Sequence, residues 1–489
     1  MLRVLAFVFA TCLLLVGSRA LAADQPAQTR VLVVSDIHFD PFADPHLAER
    51  LAVEPVNRWR DIFAAGSEQA FSGYGSDTND ALLESALDAM HDAVGVPPLV
   101  IVDGDFLAHG FRAKFNRAFK SHGDAAYDAF VDKTISFLAR ELQLAFPRSR
   151  ILPVIGNNDN VCGDYASTPG SPFLGHVAAE FAIATGAADP NAFAAQFATG
   201  GYYVAPLPVG GAQAVVLNDV FWSAKYRNAC GIAGSDPGAD ELHWLNATLR
   251  DMRGPLWIVA HIPPGVDVFS TLAAHASPPI AFLSDRYNQG LLSVLDAPSP
   301  RVTIGIFGHT HMSSFAVSGA STPTTPILEV PSVSPIFGNN PSFTVLDVET
   351  TDASIADEQV FALDNLPVLA KNGRAKAQWR RDYAFDSIYG RGTIDARHLA
   401  AAQAAIFSDE RVRKRFASLY NGGARTEAMP DDTWRAYWCG GVALDPVAYG
   451  ACATPQIQTA LPTHPPAPPP PTPSPTPASS PAPAPTPTT

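Results

Sequence analysis

An α/β fold built on mixed β-sheets is predicted by three features of this 489-residue sequence. Short aliphatic and β-branched runs alternate with segments whose apolar residues recur at helical spacing. Polar residues follow the ends of those apolar runs again and again, which is where ligands bind in open α/β sheets. The later runs succeed one another more closely, so antiparallel pairs are expected among the parallel ones.

Taken in order, TRVLVVSDIHF is a buried strand running into polar residues. Residues 81–94 (ALLESALDAMHDAV) have helical spacing, and PLVIVDGDF is a second strand ending in acids. Residues 127–146 form another amphipathic helix, followed by the strand ILPVIGNND. After a Gly/Ala-rich stretch come the strands YYVAPL and AVVLNDVFW, the helix DELHWLNATLRDM, and the strands PLWIVAHI and VTIGIFGH. ILEVPSVSP and SFTVLDVE complete the series, and we assign 23–350 to one principal domain. Beyond it, DARHLAAAQAAIFSDERVRKRFASLYNGG is helical and DTWRAYWCGG suggests a short helix closed by glycine, so a small, mainly helical domain is expected at 351–461.

Both ends differ from this body. Residues 1–22 have an early Arg3, an apolar run from Val4 to Val16 and a small-residue ending at Ala20 and Ala22. That pattern predicts an export signal, because a run of 13 residues is short for a membrane span. The protein is therefore expected in the periplasm or outside the cell. Residues 462–489 hold 14 of the 44 prolines and are expected to be a disordered, extended tail.

Hydrophobic residues make up 47% of the chain and charged ones 16%, which excludes wholesale disorder. The formal net charge of −14 argues against binding a nucleic-acid polymer through its backbone. Outside the signal there are four cysteines, an even number that favours two disulfides in an oxidising compartment. Their order suggests Cys162–Cys230 and Cys439–Cys452. A monomer is expected.

Five short motifs carry the chemistry: Asp36-Ile37-His38, Gly104-Asp105, Gly156-Asn157-Asn158-Asp159, His261 and Gly308-His309-Thr310-His311. Each alone is a common turn or a structural histidine. Together they place oxygen and nitrogen donors after successive strands. Two divalent ions about 3.5–4 Å apart need a bridging carboxylate, for which Asp105 is the best candidate. Asp36 and His38 can face one cavity across a turn, Asn157 offers a neutral carbonyl, and His261, His309 and His311 supply imidazoles that ligate near neutral pH. Such a pair of ions can orient a phosphoryl group and stabilise its charge during in-line displacement.

These motifs, read here as DIH, GD, GNND, H and GHTH, resemble those of calcineurin-like metallophosphoesterases. SDIHFDP, GDFLAH, SDPGADELHWL, AHIPPG, FGHTHMSSF and PSVSPIFGNNPSFTVLD are similar to the acid sphingomyelinase-like phosphodiesterase branch over about 30–350, and the WCGG…C region resembles the end of that branch. The resemblance implies a layered sandwich with two central β-sheets flanked by helices. It implies one ion at Asp36, His38, Asp105 and His311, and another at Asp105, Asn157, His261 and His309, with zinc as the usual metal. Some relatives use iron with a tyrosine three residues after the bridging aspartate, a position taken here by Ala108.

One departure matters. The family commonly has histidine after the metal-binding asparagine, and this chain has Asn158. Asn158 can donate a hydrogen bond but cannot act as an acid at neutral pH. The acid role falls to His109, which matches the branch histidine in GDxxxH, or to metal-bound solvent, or is unnecessary for a good leaving group. Asp159 is expected to orient a neighbour.

The resemblance implies hydrolysis of a phosphodiester, either a lipid headgroup such as that of sphingomyelin or a soluble nucleotide or cyclic dinucleotide; transient contact with a membrane surface goes with the former. A secreted, non-catalytic metal-binding protein is the remaining alternative. Phe221, Trp222 and Tyr226 follow a strand and are candidate substrate contacts, with packing beneath a loop as the other reading. Tyr202 and Tyr203 share that ambiguity, whereas Trp244 has the spacing of a core residue. The sequon at Asn246 matters only in a glycosylating host.

Overall fold

The computed structural model describes residues 28–457 apart from 67–69, 121–122, 300, 320–321, 323 and 427. The export signal and the proline-rich tail lie outside the described residues. Two six-stranded mixed sheets form the centre, flanked by helices, as the α/β prediction requires.

The first sheet has the order β12-β11-β10-β1-β2-β3. Its strands are β1 (Gln28–Ser35), β2 (Leu99–Asp103), β3 (Arg150–Val154), β10 (Ser342–Glu349), β11 (Ile355–Leu363) and β12 (Trp379–Ala384). β1, β2 and β3 are parallel, and β10 to β12 extend them antiparallel. β2 is buried along its whole length, in keeping with its unbroken apolar run. The register aligns Ser35 with Asp103 and Asp103 with Val154, so three loops leave this sheet from one row.

In the second sheet the order is β4-β5-β6-β7-β9-β8. It comprises β4 (Tyr203–Pro206), β5 (Gln213–Val216), β6 (Leu256–Val259), β7 (Val302–Phe307), β8 (Ser314–Val317) and β9 (Pro326–Glu329). β5, β6, β7 and β9 are parallel, with antiparallel β4 and β8 at the edges. Side chains from both sheets share one apolar core, including Val33, Ile101, Trp257 and Ile304.

The C-terminal part differs from the expected helical domain in two ways. β11 and β12 lie within 351–461 yet complete the first sheet; in IADEQVFAL the adjacent Asp357, half-exposed, and Glu358, buried, interrupt the apolar pattern of the strand. The helices that follow keep one small cluster of their own, Ala436, Cys439, Tyr449 and Ala453 with Val266, but Leu399, Ile406 and Phe416 join the main core. Phe315 of β8 meets Phe385, Tyr389 and Phe416 ring to ring, and these join the main apolar cluster. The helical region begins at Phe385 and is packed against the second sheet. Cys162–Cys230 and Cys439–Cys452 are both bonded. Among the described residues, no helix is long and apolar enough to cross a membrane.

Candidate metal centre

The seven candidate ligands come from five loops at the ends of β1, β2, β3, β6 and β7, so both sheets contribute. Asp36, His38, Asp105, His261 and His311 are at most 2% exposed and Asn157 4%, while His309 is half-buried at the cleft. Five of the seven, Asp36, His38, Asp105, His309 and His311, have φ between 44° and 68°. Left-handed backbone is unfavourable for residues with a side chain, and strain of this kind gathers at functional sites. Here it turns each strand end sharply enough to aim its side chain inward.

Close backbone contacts lock the loops together. Asp36 N donates to Gly104 O at 3.1 Å, and His38 N to Asp105 O at 2.8 Å. His309 N donates to Asp36 Oδ2 at 3.0 Å, tying the second sheet to the first. Glycine is required at two of these approaches. A Cβ on Gly104, whose φ is +77°, would lie 2.5 Å from His261 Nδ1, and one on Gly156 would lie 2.2 Å from Asp105 Oδ1.

The donor atoms converge on Asp105. Its Oδ2 lies 3.4 Å from both His38 Nε2 and His261 Nε2, the position a bridging carboxylate needs. His38 Nε2 is 3.1 Å from His311 Nε2, and Asp36 Oδ1 is 3.2 Å from the latter. Three-residue ligand groups appear as Asp36/His38/Asp105 and Asp105/His261/His309. A further group, His38/His109/His311, brings His109 to the same cluster.

Backbone carbonyls choose the ring nitrogen that faces inward. His261 Nδ1 is 2.8 Å from Asp103 O, and His38 Nδ1 is 2.9 Å from Leu107 O. A carbonyl only accepts, so each Nδ1 carries the proton and each Nε2 presents a bare lone pair. Asn157 is held similarly: its Nδ2 donates to Asp164 Oδ1 at 2.8 Å, leaving Oδ1 buried without a hydrogen-bond partner. Asp36 Oδ1 and His261 Nε2 are likewise buried without hydrogen bonds. Orphaned acceptors of this kind are costly unless something fills the gap. Divalent cations fit that need and the mixed oxygen and nitrogen donor set.

Electrostatics tie the same groups together: Asp105 and Asp36 outweigh burial and raise His261 well above its usual range, so a metal ion would have to displace its Nε2 proton to bind there. Burial pushes the Asp36 carboxyl up, but His311 and His261 outweigh it and hold the group well below its usual range. Burial, reinforced by His261, lowers His309 to about 3, which keeps its imidazole neutral and able to ligate.

Asp159 does not face the cluster. Its Oδ1 accepts from Phe106 N and Leu107 N, and its Oδ2 from Gly156 N, so it clamps the GNND turn onto the loop after β2. Asn158 approaches Asp105 instead: its backbone N donates to Oδ1 at 2.8 Å and its Nδ2 to Oδ2 at 2.9 Å. His109 stacks on His38 at 3.9 Å between ring centroids. Its Nδ1 donates to Asp77 Oδ1 at 2.9 Å, and Lys114 bridges Asp77 to Asp40. Asp77 and Lys114 escaped the sequence reading because neither follows a strand or belongs to a motif.

The aromatic candidates need correcting. Phe221 and Trp222 are 2% and 0% exposed and belong to the core beneath the second sheet, where Trp222 Nε1 donates to Gly238 O. Tyr226 packs against Phe221 and donates to Ser167 O. None of the three lines the cleft. Burial won because the short helical turn Asp219–Trp222 after β5 is buried throughout, with Phe221 and Trp222 in the second apolar cluster. Trp222→Ala is therefore expected to lower stability by about 3–5 kcal/mol while leaving KM for a small diester unchanged, as chemical denaturation and steady-state kinetics would show. Tyr202 and Tyr203 are also core residues, and Trp244 packs on Tyr202 at 4.6 Å.

The cleft itself encloses about 540 Å³ beside Asp105, Asn157, His309 and His311. Its rim carries exposed Phe269 and Phe337, and its far wall comes from the C-terminal region, including Tyr420 and Tyr437. Tyr165 reaches over the centre, with its hydroxyl 3.3 Å from His309 Nε2. No sequence motif marks these residues.

The calcineurin-like phosphoesterase family description matches residues 29–313, a span that includes all seven candidate ligands. The chain belongs to the calcineurin-like phosphoesterase family. It is thus a phosphoester hydrolase of a fold that works with divalent metal ions. Its relatives bear out the resemblance to the acid sphingomyelinase-like branch. It is 26% identical over 329 residues to "Sphingomyelinase phosphodiesterase D" of Dictyostelium discoideum, covering 65% of this chain and 67% of the relative. It is 22% identical over 455 residues to "Cyclic GMP-AMP phosphodiesterase SMPDL3A" of Homo sapiens, covering 87% and 90%. The Mus musculus protein of the same name is 24% identical over 345 residues, covering 66% and 72%.

Proposed function

We propose that this phosphoesterase is an exported phosphodiesterase of the acid sphingomyelinase-like type that holds two zinc ions. One would be held by Asp36, His38, Asp105 and His311, the other by Asp105, Asn157, His261 and His309. The observation that carries this reading is the convergence of strand ends from both sheets on Asp105, with Asn157 Oδ1 and His261 Nε2 buried and unpartnered around it. The two disulfides suit an oxidising compartment and support export.

When bound, the ions supply an activated water and neutralise the phosphoryl oxygens. The protein's own groups position and protonate. Asp103 O and Leu107 O fix the imidazole tautomers, while Asp164 holds the Asn157 amide so that its oxygen faces inward. Asn158 Nδ2 lies within hydrogen-bond reach of Asp105 and is placed to donate to a phosphoryl oxygen beside it. Asp77 holds His109 by Nδ1, and in the imidazolium form of the ring it is the Nε2 proton that would pass to the departing oxygen, leaving the neutral imidazole.

The substrate is sphingomyelin or a related phosphodiester. Similarity to the human protein named a cyclic GMP-AMP phosphodiesterase favours a second reading, a nucleotide or cyclic dinucleotide. Metal analysis followed by hydrolysis of bis-p-nitrophenyl phosphate tests the class. Parallel assays with sphingomyelin, ATP and a cyclic dinucleotide then separate the two. A protein that binds no metal, or that binds it without hydrolysing any diester, would overturn the proposal. Asn158→His is expected to raise turnover of poor leaving groups by about tenfold or more while changing p-nitrophenyl esters little, which rate comparison across a leaving-group series would reveal.

A further inference from the structure

A histidine that ligates a metal through one ring nitrogen needs its other N–H held, so that the ring keeps one tautomer and one direction. Backbone carbonyls do this for His38 and His261, and Asp164 does the same for the Asn157 amide. His309 has no carbonyl or carboxylate in that place. Among the described residues, the Tyr165 hydroxyl, 3.3 Å from Nε2, is the one hydrogen-bond partner of its ring.

A phenol can donate or accept, and the two cases differ in consequence. If the hydroxyl donated to Nε2, the proton of the neutral imidazole would sit on Nδ1, and no lone pair would be left for an ion. If Nε2–H donates to the phenol oxygen, Nδ1 carries the free lone pair. Only the second arrangement leaves His309 a ligand. It makes Tyr165 the counterpart of Asp103 O and Leu107 O, with the opposite ring nitrogen facing inward.

The hydroxyl is firmly placed. Tyr165 is 9% exposed and has a φ of 55°, a conformation unfavourable for an aromatic residue and held only by strong local contacts. Its N donates to Asn157 O at 3.0 Å, and its O accepts from Arg227 N at 2.9 Å. Arg227 Nη2 donates to Asp164 O at 2.6 Å. Cys162–Cys230 closes the same junction, joining the loop after β3 to the loop that contains Arg227. One stapled segment therefore carries Asn157, the Asp164 that orients it, and Tyr165.

We propose that Tyr165 is a positioning residue for the ion at Asp105, Asn157, His261 and His309: its oxygen accepts from His309 Nε2–H and turns Nδ1 to the metal, while the Cys162–Cys230 bridge holds the loop that carries Asn157 and Tyr165. This rests on the two-ion reading above and adds to it how the exposed side of one site is fixed.

The test is zinc titration of the metal-free full chain against a competing chelator. Tyr165→Phe keeps the ring and its packing, and it is expected to weaken one of the two sites by about tenfold or more while leaving the other unchanged. Cys162→Ser combined with Cys230→Ser should weaken the same site. In turnover of bis-p-nitrophenyl phosphate, Tyr165→Phe should lose kcat at limiting zinc and regain it in excess zinc, with KM unchanged. Nitrogen NMR of the metal-free protein at mildly alkaline pH gives a readout without ions: the His309 ring should be protonated at Nε2 in the wild type and lose that preference in Tyr165→Phe. Equal weakening of both sites, a kcat that excess zinc does not restore, a change in KM alone, or a wild-type His309 protonated at Nδ1 would overturn the proposal. If the wild-type chain binds fewer than two zinc ions, the two-ion reading fails, while the tautomer of His309 still decides the role of Tyr165.

Discussion

Asp105→Asn is expected to remove nearly all hydrolysis of bis-p-nitrophenyl phosphate, with His261→Ala close behind. Asp105 Oδ2 lies equidistant from His38 Nε2 and His261 Nε2, at 3.4 Å. An amide there offers one neutral oxygen and a repelling NH2 edge in place of a charged bridge. Losing the bridge should forfeit about 4 kcal/mol of transition-state stabilisation, roughly 10³-fold in rate. His261→Ala removes a donor whose Nδ1 is already fixed by Asp103 O, so no neighbour can take its place. Both proteins should remain folded, and metal content measured beside kcat separates lost ions from lost chemistry. Near-normal turnover in both variants would sink the two-metal mechanism.

Gly156→Ala should also be severe, although the side chain it adds is a single methyl. Its Cβ would sit 2.2 Å from Asp105 Oδ1 and 2.3 Å from Asp105 N, distances no relaxed structure permits. Either the GNND turn or the loop after β2 must move, and Asp159 clamps those two together through three backbone N–H groups. A shift of about 1 Å in a reacting group can cost 10²-fold, so a loss of about that size is expected. Overpacking should lower stability by about 1–3 kcal/mol as well. Kinetics and thermal melting of the same preparation check both, and an active, unshifted variant would show that the loops do not hold Asp105 as described.

Much of the centre was legible because its residues follow strands. DIH, GD, GNND, H and GHTH each come directly after an apolar run, and parallel strands deliver their ends to one edge of a sheet. The same logic failed for Phe221, Trp222 and Tyr226, which also follow a strand. A sequence shows that an aromatic stands after β5, but whether it faces water or core depends on the path of the next loop, and here Trp222 found Gly238 O in the interior. The boundary at 351 failed for a related reason. In β11 the adjacent Asp357 and Glu358 interrupt the apolar pattern, which is weak until β10 is seen beside it.

Residues with no local signature were invisible. Asp77 matters because it meets His109, 32 positions away, and Tyr165 because it meets His309 across 144 positions. The far wall of the cleft comes from Tyr420 and Tyr437, which the helical pattern places on helices without saying what they face.

By itself, then, the sequence determined the α/β class and the candidate donors that follow the strands, because these depend on residue type and on short-range periodicity. Only the tertiary structure decided which nitrogen of His38 and His261 faces inward, which acceptors are left without partners, and what stands opposite the centre. Those properties arise from contacts between loops far apart in the chain, where a backbone carbonyl or a carboxylate at 3 Å sets the role of a side chain.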